Sequence, residues 1–167
     1  MNIRIGQGID FHRLEKGLKL VLGGVPIESE KGCVAHSDGD VLLHAICDAL
    51  LGAAGLNDIG FYFPDSSQEF KGIDSKILLG RTYRLVKEKG YKIVNLDSTI
   101  CLEKPKISPY RDEMKTRISE ILETEPENIG IKATTTEKMG FTGREEGIVA
   151  MAVVLLDQRA EALVTGS

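Results

Sequence analysis

The sequence has few of the residues that build a nucleic-acid or membrane surface. It contains no tryptophan, and only 5% of its 167 residues are aromatic, whereas proteins that stack single-stranded nucleic acid expose several aromatic rings. The formal net charge of -4 provides no general attraction for nucleic acid or acidic lipid. No apolar run approaches the roughly 20 residues of a transmembrane helix. We therefore expect neither nucleic acid nor membrane among the partners of this protein.

Cysteine is also scarce. The three cysteines, Cys33, Cys47 and Cys101, are odd in number and far apart, which argues against a disulfide framework or a cysteine zinc site. The first residues lack the apolar segment of a secretory signal and do not resemble a transit peptide. The sequence accordingly predicts a cytoplasmic protein of bacterial type, kept in a reducing compartment.

Strand-like and helix-like stretches alternate along the chain. Strands are predicted at residues 3–12, 18–22, 25–27, 91–102, 129–136 and 148–156, helices at 41–51, 75–89 and 110–122, and a loop through Gly32. The alternation predicts an α/β (α+β) fold in one domain over residues 1–167, with a mixed β-sheet and three main helices largely on one face. The last strand is almost wholly apolar, so we expect it at the centre of the sheet or at an interface. A sheet with one uncovered face often packs into an oligomer.

A polar loop runs directly into the first predicted helix. Ser37 and Asp38 are good N-cap candidates, because their side-chain oxygens can accept from the free N–H groups of a first turn. Asp40, His44 and Asp48 lie four residues apart and therefore share one side of the helix. A histidine between two carboxylates is either a structural histidine or a metal ligand with orienting neighbours.

Three residues from two predicted elements indicate a metal site. Asp10 and His12 are two apart on a strand, so their side chains point to the same side, and His44 can face them from the first helix. One carboxylate oxygen and two imidazole nitrogens leave one tetrahedral position open, as in catalytic zinc sites. The alternative is a surface carboxylate beside a strand-end histidine. His36 can be a fourth ligand, although its position beside Ser37 suits donation to a phosphate better.

Two further segments combine residue types that suit a phosphorylated substrate. The predicted strand end at residues 134–138 offers threonine hydroxyls and a lysine to phosphate oxygens, and Glu137 offers a carboxylate to a hard metal ion such as Mg²⁺. The alternative is an ordinary threonine-rich strand with a surface Glu-Lys pair. The aromatic loop at residues 57–65 either lines the core or forms a substrate wall.

Several separated motifs resemble those of the 2-C-methyl-D-erythritol 2,4-cyclodiphosphate synthase family. They are Gly-Ile-Asp-Phe-His at residues 8–12, His-Ser-Asp-Gly-Asp at 36–40 with His-Ala at 44–45, Asp-Ile-Gly at 58–60 with Phe-Pro-Asp at 63–65, and Thr-Thr-Thr-Glu-Lys at 134–138 with Gly-Phe-Thr-Gly-Arg at 140–144. Their order and spacing are those of the family, and the resemblance covers essentially the whole chain. The chain departs from the family pattern at Asn57, Ser67 and Met151, where glycine, a second acid and a cavity-rim glutamate occur in other members.

The resemblance implies a homotrimeric lyase of the non-mevalonate isoprenoid pathway, with active sites between subunits. Its substrate would be 4-diphosphocytidyl-2-C-methyl-D-erythritol 2-phosphate, whose 2-phosphate attacks the β-phosphate to give a cyclic diphosphate and CMP. The implied cofactors are zinc, or another divalent transition metal, on Asp10, His12 and His44, and Mg²⁺ or Mn²⁺ on Glu137.

The resemblance also assigns residues around the substrate. His36, Thr135 and Glu137 are implied as catalytic residues. Phe141 and Arg144 are implied near a central cavity of the trimer that can accept an isoprenoid diphosphate. The residues placed at the substrate are Asp10, His12, His36, Ser37, Asp58, Ile59, Gly60, Phe63, Pro64, Asp65, Ser66, Ser67, Leu102, Lys106, Ser108, Thr134, Thr135, Thr136, Glu137, Phe141 and Arg144.

Two other functions fit part of the pattern. A metal-dependent phosphohydrolase would need an activated water and usually a denser ligand set or two metals, and the adjacent His-Asp pair of one hydrolase class is absent from the sequence. A non-catalytic, metal-stabilised binding module would keep its metal site closed, whereas the residues indicate only three convincing ligands.

Overall fold

A five-stranded mixed β-sheet forms the centre of the protein, for which a computed structural model describes residues 2–64 and 66–158. The strands are β1 (Asn2–Lys16), β2 (Leu20–Leu22), β3 (Val25–Ile27), β4 (Lys31–Val34), β5 (Tyr91–Cys101), β6 (Ile129–Thr134) and β7 (Gly147–Gln158). The sheet has the order β4-β1-β7-β5-β6, and all neighbours are antiparallel except the parallel pair β5-β6. Strands β2 and β3 form a separate antiparallel pair.

The three longer helices cover one face of this sheet. The helices are α1 (Val41–Ala53), α2 (Ile59–Tyr62), α3 (Ser75–Glu88), α4 (Arg111–Ile121) and α5 (Gly140–Gly143), with short 3₁₀ turns at Gln68–Phe70, Ser108–Tyr110 and Pro126–Asn128. Helix α1 packs on β1 and β7, α3 packs on α1 and β5, and α4 packs on β6. Within the described residues, no helix is both long and apolar enough to cross a membrane. The mixed sheet and the three longer helices confirm the predicted single-domain α+β fold.

Strand β7 lies in the middle of the sheet, as its apolar sequence predicted. Ala150 and Val154 are buried beneath the helices, whereas Met151 and Val153 remain exposed on the opposite face. Strand β1 adds four exposed apolar side chains to that opposite face, at Ile3, Ile5, Ile9 and Phe11. The face that points away from the helices is therefore apolar and uncovered in the single chain.

Helix α1 rests directly on the backbone of β1. A Cβ atom added at Gly8 would lie 2.0 Å from the carbonyl oxygen of Ala45, and one added at Gly6 would lie 2.0 Å from that of Ala49. Only glycine therefore fits at these two strand positions. Most of the helix is buried, and each large apolar side chain that it buries stabilises the fold by about 1.5–3 kcal/mol.

Several boundaries differ from the sequence prediction: β1 continues to Lys16 instead of ending at residue 12, β2 begins at Leu20 instead of residue 18, and two further differences have a clear cause. The segment predicted as a loop through Gly32 is the short strand β4, which pairs with the far end of β1. Its four residues are too few to show a periodic pattern, so the long neighbouring strand determines its conformation. Strand β6 ends at Thr134 instead of residue 136, because the backbone turns away and reaches a positive φ of 53° at Glu137.

Candidate active site

Three side chains from β1 and α1 converge on one point. Asp10 Oδ2, His12 Nε2 and His44 Nδ1 form a triangle with sides of 3.0–3.1 Å. A tetrahedral zinc ion with bonds of about 2.0–2.1 Å needs ligand atoms about 3.3 Å apart, so the triangle has the right size for one ion. The part of the chain that the structure describes contains no other such cluster. The predicted meeting of a strand pair with a helix histidine is confirmed, and the donor set suits a divalent metal.

The Asp10 carboxylate attracts both histidines even without an ion. Burial alone would raise the pKa of Asp10, but hydrogen bonds from His12 and His44 and the charge of both rings hold that pKa well below its usual range. Burial lowers the pKa of His44, yet its hydrogen bond with Asp10 and the surrounding carboxylates raise it overall. The Asp10 carboxylate is therefore ionised at neutral pH, as a ligand must be, and a metal ion would displace the proton that it shares with His44.

A hydrogen-bonded pair, Asp38 and Ser75, lies behind His44. The Nε2 atom of His44 is 2.9 Å from the Ser75 hydroxyl and 3.2 Å from the Ser37 hydroxyl. The Ser75 hydroxyl donates to Asp38 at 2.5 Å, and the Ser75 backbone N–H donates to the other oxygen of that carboxylate at 2.9 Å. The sequence prediction missed Ser75, because it lies 31 residues from His44. Its only local signal is its position as the first residue of α3, directly after the N-cap Asp74.

The predicted N-cap of α1 is wrong. Neither Ser37 nor Asp38 caps the helix; the N-cap is Asp40, whose Oδ1 accepts from the N–H of Leu43 at 3.0 Å. The reason is that the carboxylate of Asp38 is engaged by Ser75, so the helix begins two residues later than a cap at Asp38 would allow.

The two carboxylates that flank the metal-site histidine along α1 bind backbone groups. Asp40 is fully buried and also accepts from the N–H groups of Gly23 and Gly24 at 3.0 and 2.7 Å. Burial nevertheless raises the pKa of Asp40 to about 6, against the effect of these hydrogen bonds. Asp48 accepts from the N–H of Ile59 at 2.8 Å and thereby fixes the start of α2. Asp40 therefore holds the β2-β3 turn, and Asp48 holds α2.

A cavity of about 330 Å³ opens beside the triad. The predicted site residues that line it are Asp10, His12, His36, Ser37, His44, Ile59, Gly60 and Phe63. Among the described residues, the buried Nε2 atom of His36 has no hydrogen-bond partner. This nitrogen is therefore left for a polar ligand, which fits the predicted contact with a phosphate.

The other described residues of the predicted erythritol segment lie beside this cavity or away from it. Asp58 caps α2 and borders a neighbouring cavity. Pro64, Ser66 and Ser67 do not line the cavity beside the triad. Asp65 lies outside the described residues.

A second cavity, of about 230 Å³, lies where β5 and β6 end. The N–H of Leu102 donates to the carbonyl of Thr134 at 3.0 Å, which joins the two strand ends. Arg111 also lines this cavity, although the sequence prediction did not include it; a cation at the start of α4, close after Lys106, was the available signal. The predicted site residues that line the cavity are Leu102, Lys106, Ser108, Thr134 and Thr135.

The turn after β6 depends on one carboxylate. Glu103 Oε1 accepts from the N–H of Thr136 at 2.9 Å, from its hydroxyl at 3.3 Å and from the N–H of Lys138 at 3.3 Å. Glu137 and Lys138 both have positive φ, of 53° and 63°, a conformation that costs non-glycine residues about 1–3 kcal/mol each. Glu103, which the sequence prediction also missed, thus holds the strained turn that presents Glu137.

The predicted site residues are not brought into one place within the chain. The two cavities have no lining residue in common, and neither includes Phe141 or Arg144. Phe141 packs against Phe11 on the uncovered sheet face, with ring centroids 6.2 Å apart. Arg144 is exposed and donates to Glu146 through Nε at 3.0 Å and through its terminal nitrogen at 3.1 Å.

Comparison with known proteins identifies the family to which these motifs belong. The sequence model of the YgbB family matches residues 3–157. The chain belongs to the YgbB family. A Bacteroides fragilis protein named 2-C-methyl-D-erythritol 2,4-cyclodiphosphate synthase is 54% identical over 158 residues, which are 95% of this chain and 99% of the relative. A Porphyromonas gingivalis protein of the same name is 57% identical over 153 residues, 92% of this chain and 94% of the relative.

Solved structures resemble this YgbB family member along nearly all of its length. A structure of 2C-methyl-D-erythritol-2,4-cyclodiphosphate synthase matches this chain with a TM-score of 0.86 and 42% sequence identity. The match covers 92% of this chain and 100% of the solved chain. The IspF protein of Plasmodium falciparum in complex with CDP matches this chain with a TM-score of 0.84 and 36% identity. The match covers 95% of this chain and 98% of the solved chain. These matches confirm the family resemblance found in the sequence.

Proposed function

We propose that this YgbB family protein converts 4-diphosphocytidyl-2-C-methyl-D-erythritol 2-phosphate to 2-C-methyl-D-erythritol 2,4-cyclodiphosphate and CMP, in isoprenoid precursor biosynthesis. The observation that carries the proposal is the triangle of Asp10, His12 and His44, which faces an open cavity. The names of the relatives support it. We further propose that the whole chain, residues 1–167, is one such domain and works in the cytoplasm.

The proposed reaction joins two anionic groups of one substrate. The site must therefore neutralise charge and align the 2-phosphate with the β-phosphate. When bound, zinc on Asp10, His12 and His44 and Mg²⁺ or Mn²⁺ on Glu137 supply Lewis-acid stabilisation of the negative charge on the diphosphate. The nucleophile belongs to the substrate, so the chain needs no activated serine or cysteine.

The other residues hold the substrate in line. We assign His36 and Ser37 to the 2-phosphate, because both line the cavity beside the triad. We assign the hydroxyls of Thr134 and Thr135 to the CMP phosphate and Lys106 to the cytosine, because all three line the second cavity. The CDP-bound relative supports a nucleotide at this fold.

We propose that the chain forms a homotrimer with each active site between two subunits. Two observations support this arrangement. The uncovered sheet face is apolar, as a face buried between subunits would be, and the metal-side and nucleotide-side cavities of one chain have no lining residue in common. A heterologous contact that closes at three copies would join the metal side of one subunit to the nucleotide side of the next.

Phosphorus NMR of the protein with the proposed substrate, Zn²⁺ and Mg²⁺ tests the reaction. We expect the signals of a cyclic diphosphate and of CMP. Orthophosphate as the product would instead identify a phosphohydrolase, and no turnover by a metal-loaded protein would favour a binding module.

Mixed trimers test the shared site. One parent carries His44→Ala, and the other carries Lys106→Glu with Thr135→Val; we expect each to be inactive alone. Random mixing should restore roughly a quarter of wild-type activity, because each half-site is intact with a probability of about one half in a closed ring. Verified mixed trimers that stay as inactive as their parents would place the whole site within one subunit.

We also propose that the trimer axis encloses a cavity for an isoprenoid diphosphate. Phe11 and Phe141 pack together on the uncovered sheet face, and Arg144 is an exposed guanidinium that can bind a diphosphate with two hydrogen bonds. Calorimetric titration with geranyl or farnesyl diphosphate should show binding to the wild type and weaker binding to Arg144→Ala. No heat of binding with either folded trimer would exclude this ligand.

A further inference from the structure

The orientation of His44 depends on a pair of residues behind the ligand triad. We propose that Ser75 and Asp38 are positioning residues that hold the His44 ring with a hydrogen on Nε2 and the lone pair of Nδ1 turned toward the metal ion. The inference rests on the proposed zinc role of Asp10, His12 and His44, and it extends the metal centre to the first residue of α3.

The positions of the hydrogens follow from the contacts. A serine hydroxyl has one hydrogen, and that of Ser75 is donated to Asp38 Oδ1 at 2.5 Å. The same carboxylate accepts the backbone N–H groups of Ser75 and Asp40 at 2.9 and 3.1 Å. The Ser75 oxygen can then only accept at its other contact, His44 Nε2 at 2.9 Å. Nε2 therefore carries a hydrogen. Nδ1, the atom nearest Asp10 and His12, is then the nitrogen that binds the metal once the ion displaces the proton shared with Asp10.

The backbone holds this pair in place. The N–H of Asp38 donates to the carbonyl of Ile73 at 3.1 Å, and the N–H of Gly72 donates to the carbonyl of His36 at 2.8 Å. These bonds join the loop before α1 to the segment before α3. Ser75 itself is fully buried. Its oxygen is therefore already in position before a metal ion or substrate arrives, which is the property expected of an outer partner that orients a ligand.

Ser37 does not replace Ser75 in this role. Its hydroxyl is 3.2 Å from His44 Nε2 and accepts the N–H of Gly39 at 3.2 Å. Ser37 also lines the cavity beside the triad, whereas Ser75 does not. A bound substrate can therefore take the Ser37 hydroxyl, while the contact between Ser75 and His44 is unaffected.

Zinc affinity of the full chain, measured by competition with a chromophoric chelator, tests the pair. We expect Ser75→Ala to bind zinc about 10- to 100-fold more weakly than the wild type, the usual effect of removing such a partner. Ser119→Ala is the matched control, since Ser119 is also buried but donates to the carbonyl of Thr116 within α4; it should bind like the wild type. Equal affinity in Ser75→Ala and the wild type would overturn the inference.

Nitrogen-15 NMR of the zinc-loaded protein locates the hydrogen directly. We expect zinc on Nδ1 of His44 and a slowly exchanging Nε2–H in the wild type, with faster exchange of that hydrogen in Ser75→Ala. Zinc on Nε2 would overturn the inference.

If Ser75→Ala does not fold, Ser75→Cys keeps the side-chain size with a weaker acceptor, and the same loss of affinity is expected. If the folded wild type binds no zinc, the proposed metal role of Asp10, His12 and His44 is refuted as well. If Ser75→Ala and Ser75→Cys bind zinc as tightly as the wild type does, only the role of Ser75 is refuted.

Discussion

The metal side and the nucleotide side of the candidate site are held in different ways. On the metal side, Asp10 and His44 project from a strand and a helix that are in direct contact, and buried groups behind His44 fix its ring. On the nucleotide side, Glu137 projects from an exposed turn with positive φ, which Glu103 holds. The metal side is thus organised by two packed elements of the fold, whereas the nucleotide side depends on a strained turn that the hydrogen bonds of one carboxylate hold.

Removing a ligand residue from the metal side should have the largest effect. We expect His44→Ala to lower turnover by at least about a thousandfold, because the lost charge stabilisation amounts to several kcal/mol. Bound zinc, measured by metal analysis of the purified protein, should fall as well, while size-exclusion chromatography shows an unchanged assembly. Full activity with the usual zinc content would remove His44 from the site.

The corresponding change on the nucleotide side should leave the metal side intact. For Glu137→Gln, we expect the Mg²⁺ concentration at half-maximal activity to rise by roughly a hundredfold, because a neutral amide is a poor ligand for a hard cation. Zinc content should not change. Glu127→Gln, at another exposed glutamate, serves as the control. A Mg²⁺ titration identical to that of the wild type would contradict the role of Glu137.

The buried carboxylate of Asp40 should make the stability of the folded protein depend on pH. Burial raises its pKa from 3.8 to about 6, so the folded state binds this proton more tightly than the unfolded chain. The resulting stability is present below the unfolded pKa and is lost as the pH rises through about 6. The stability advantage of the wild type over Asp40→Asn should therefore shrink by about 2 kcal/mol between about pH 4 and pH 7.

Urea unfolding of the two metal-free proteins at both pH values measures this difference. Asp97→Asn, at an exposed aspartate of β5, is the control. The difference in stability between the wild type and this variant should not shrink in the same way between the two pH values. An advantage that stays constant or grows with pH would contradict the raised pKa of Asp40.

The smallest effect is expected for Glu103, because it acts only through the turn that presents Glu137. Glu103→Ala removes the acceptor for two backbone N–H groups, so the strained turn should relax and turnover should fall by about tenfold. Glu103→Gln keeps an acceptor oxygen and should stay close to the wild type. Steady-state kinetics at saturating Mg²⁺ compare the two, with zinc content unchanged in both. Similar losses in Ala and Gln variants would show that the charge, not the hydrogen bonds, matters.

The difference between the two sides also explains what the sequence could predict. Asp10 and His12 are related by the two-residue repeat of a strand, and their match with His44 required only that a helix face that strand. Family resemblance supplied most of the nucleotide side, of which Leu102, Lys106 and Thr134 line one cavity.

Residues whose role comes from long-range contacts could not be predicted in this way. Ser75 and Glu103 act through neighbours that lie more than 30 residues away in sequence, and no local pattern encodes such a pairing. Strand β4 and the cap at Asp40 depend in the same way on segments that meet only in the folded chain. The separation of the site into two cavities is likewise a property of the tertiary structure.

The glycine at residue 8 has a consequence for how such a site can be lost. It precedes Asp10 by two positions on the same strand, and the carbonyl of Ala45, next to His44, occupies the space where its side chain would be. A single methyl group there would push the helix off the strand and stretch the span between the ligands, although every polar atom of the centre would still be encoded. Inactive natural variants can therefore arise at a position with no functional group, and a search restricted to chemically reactive residues would overlook it.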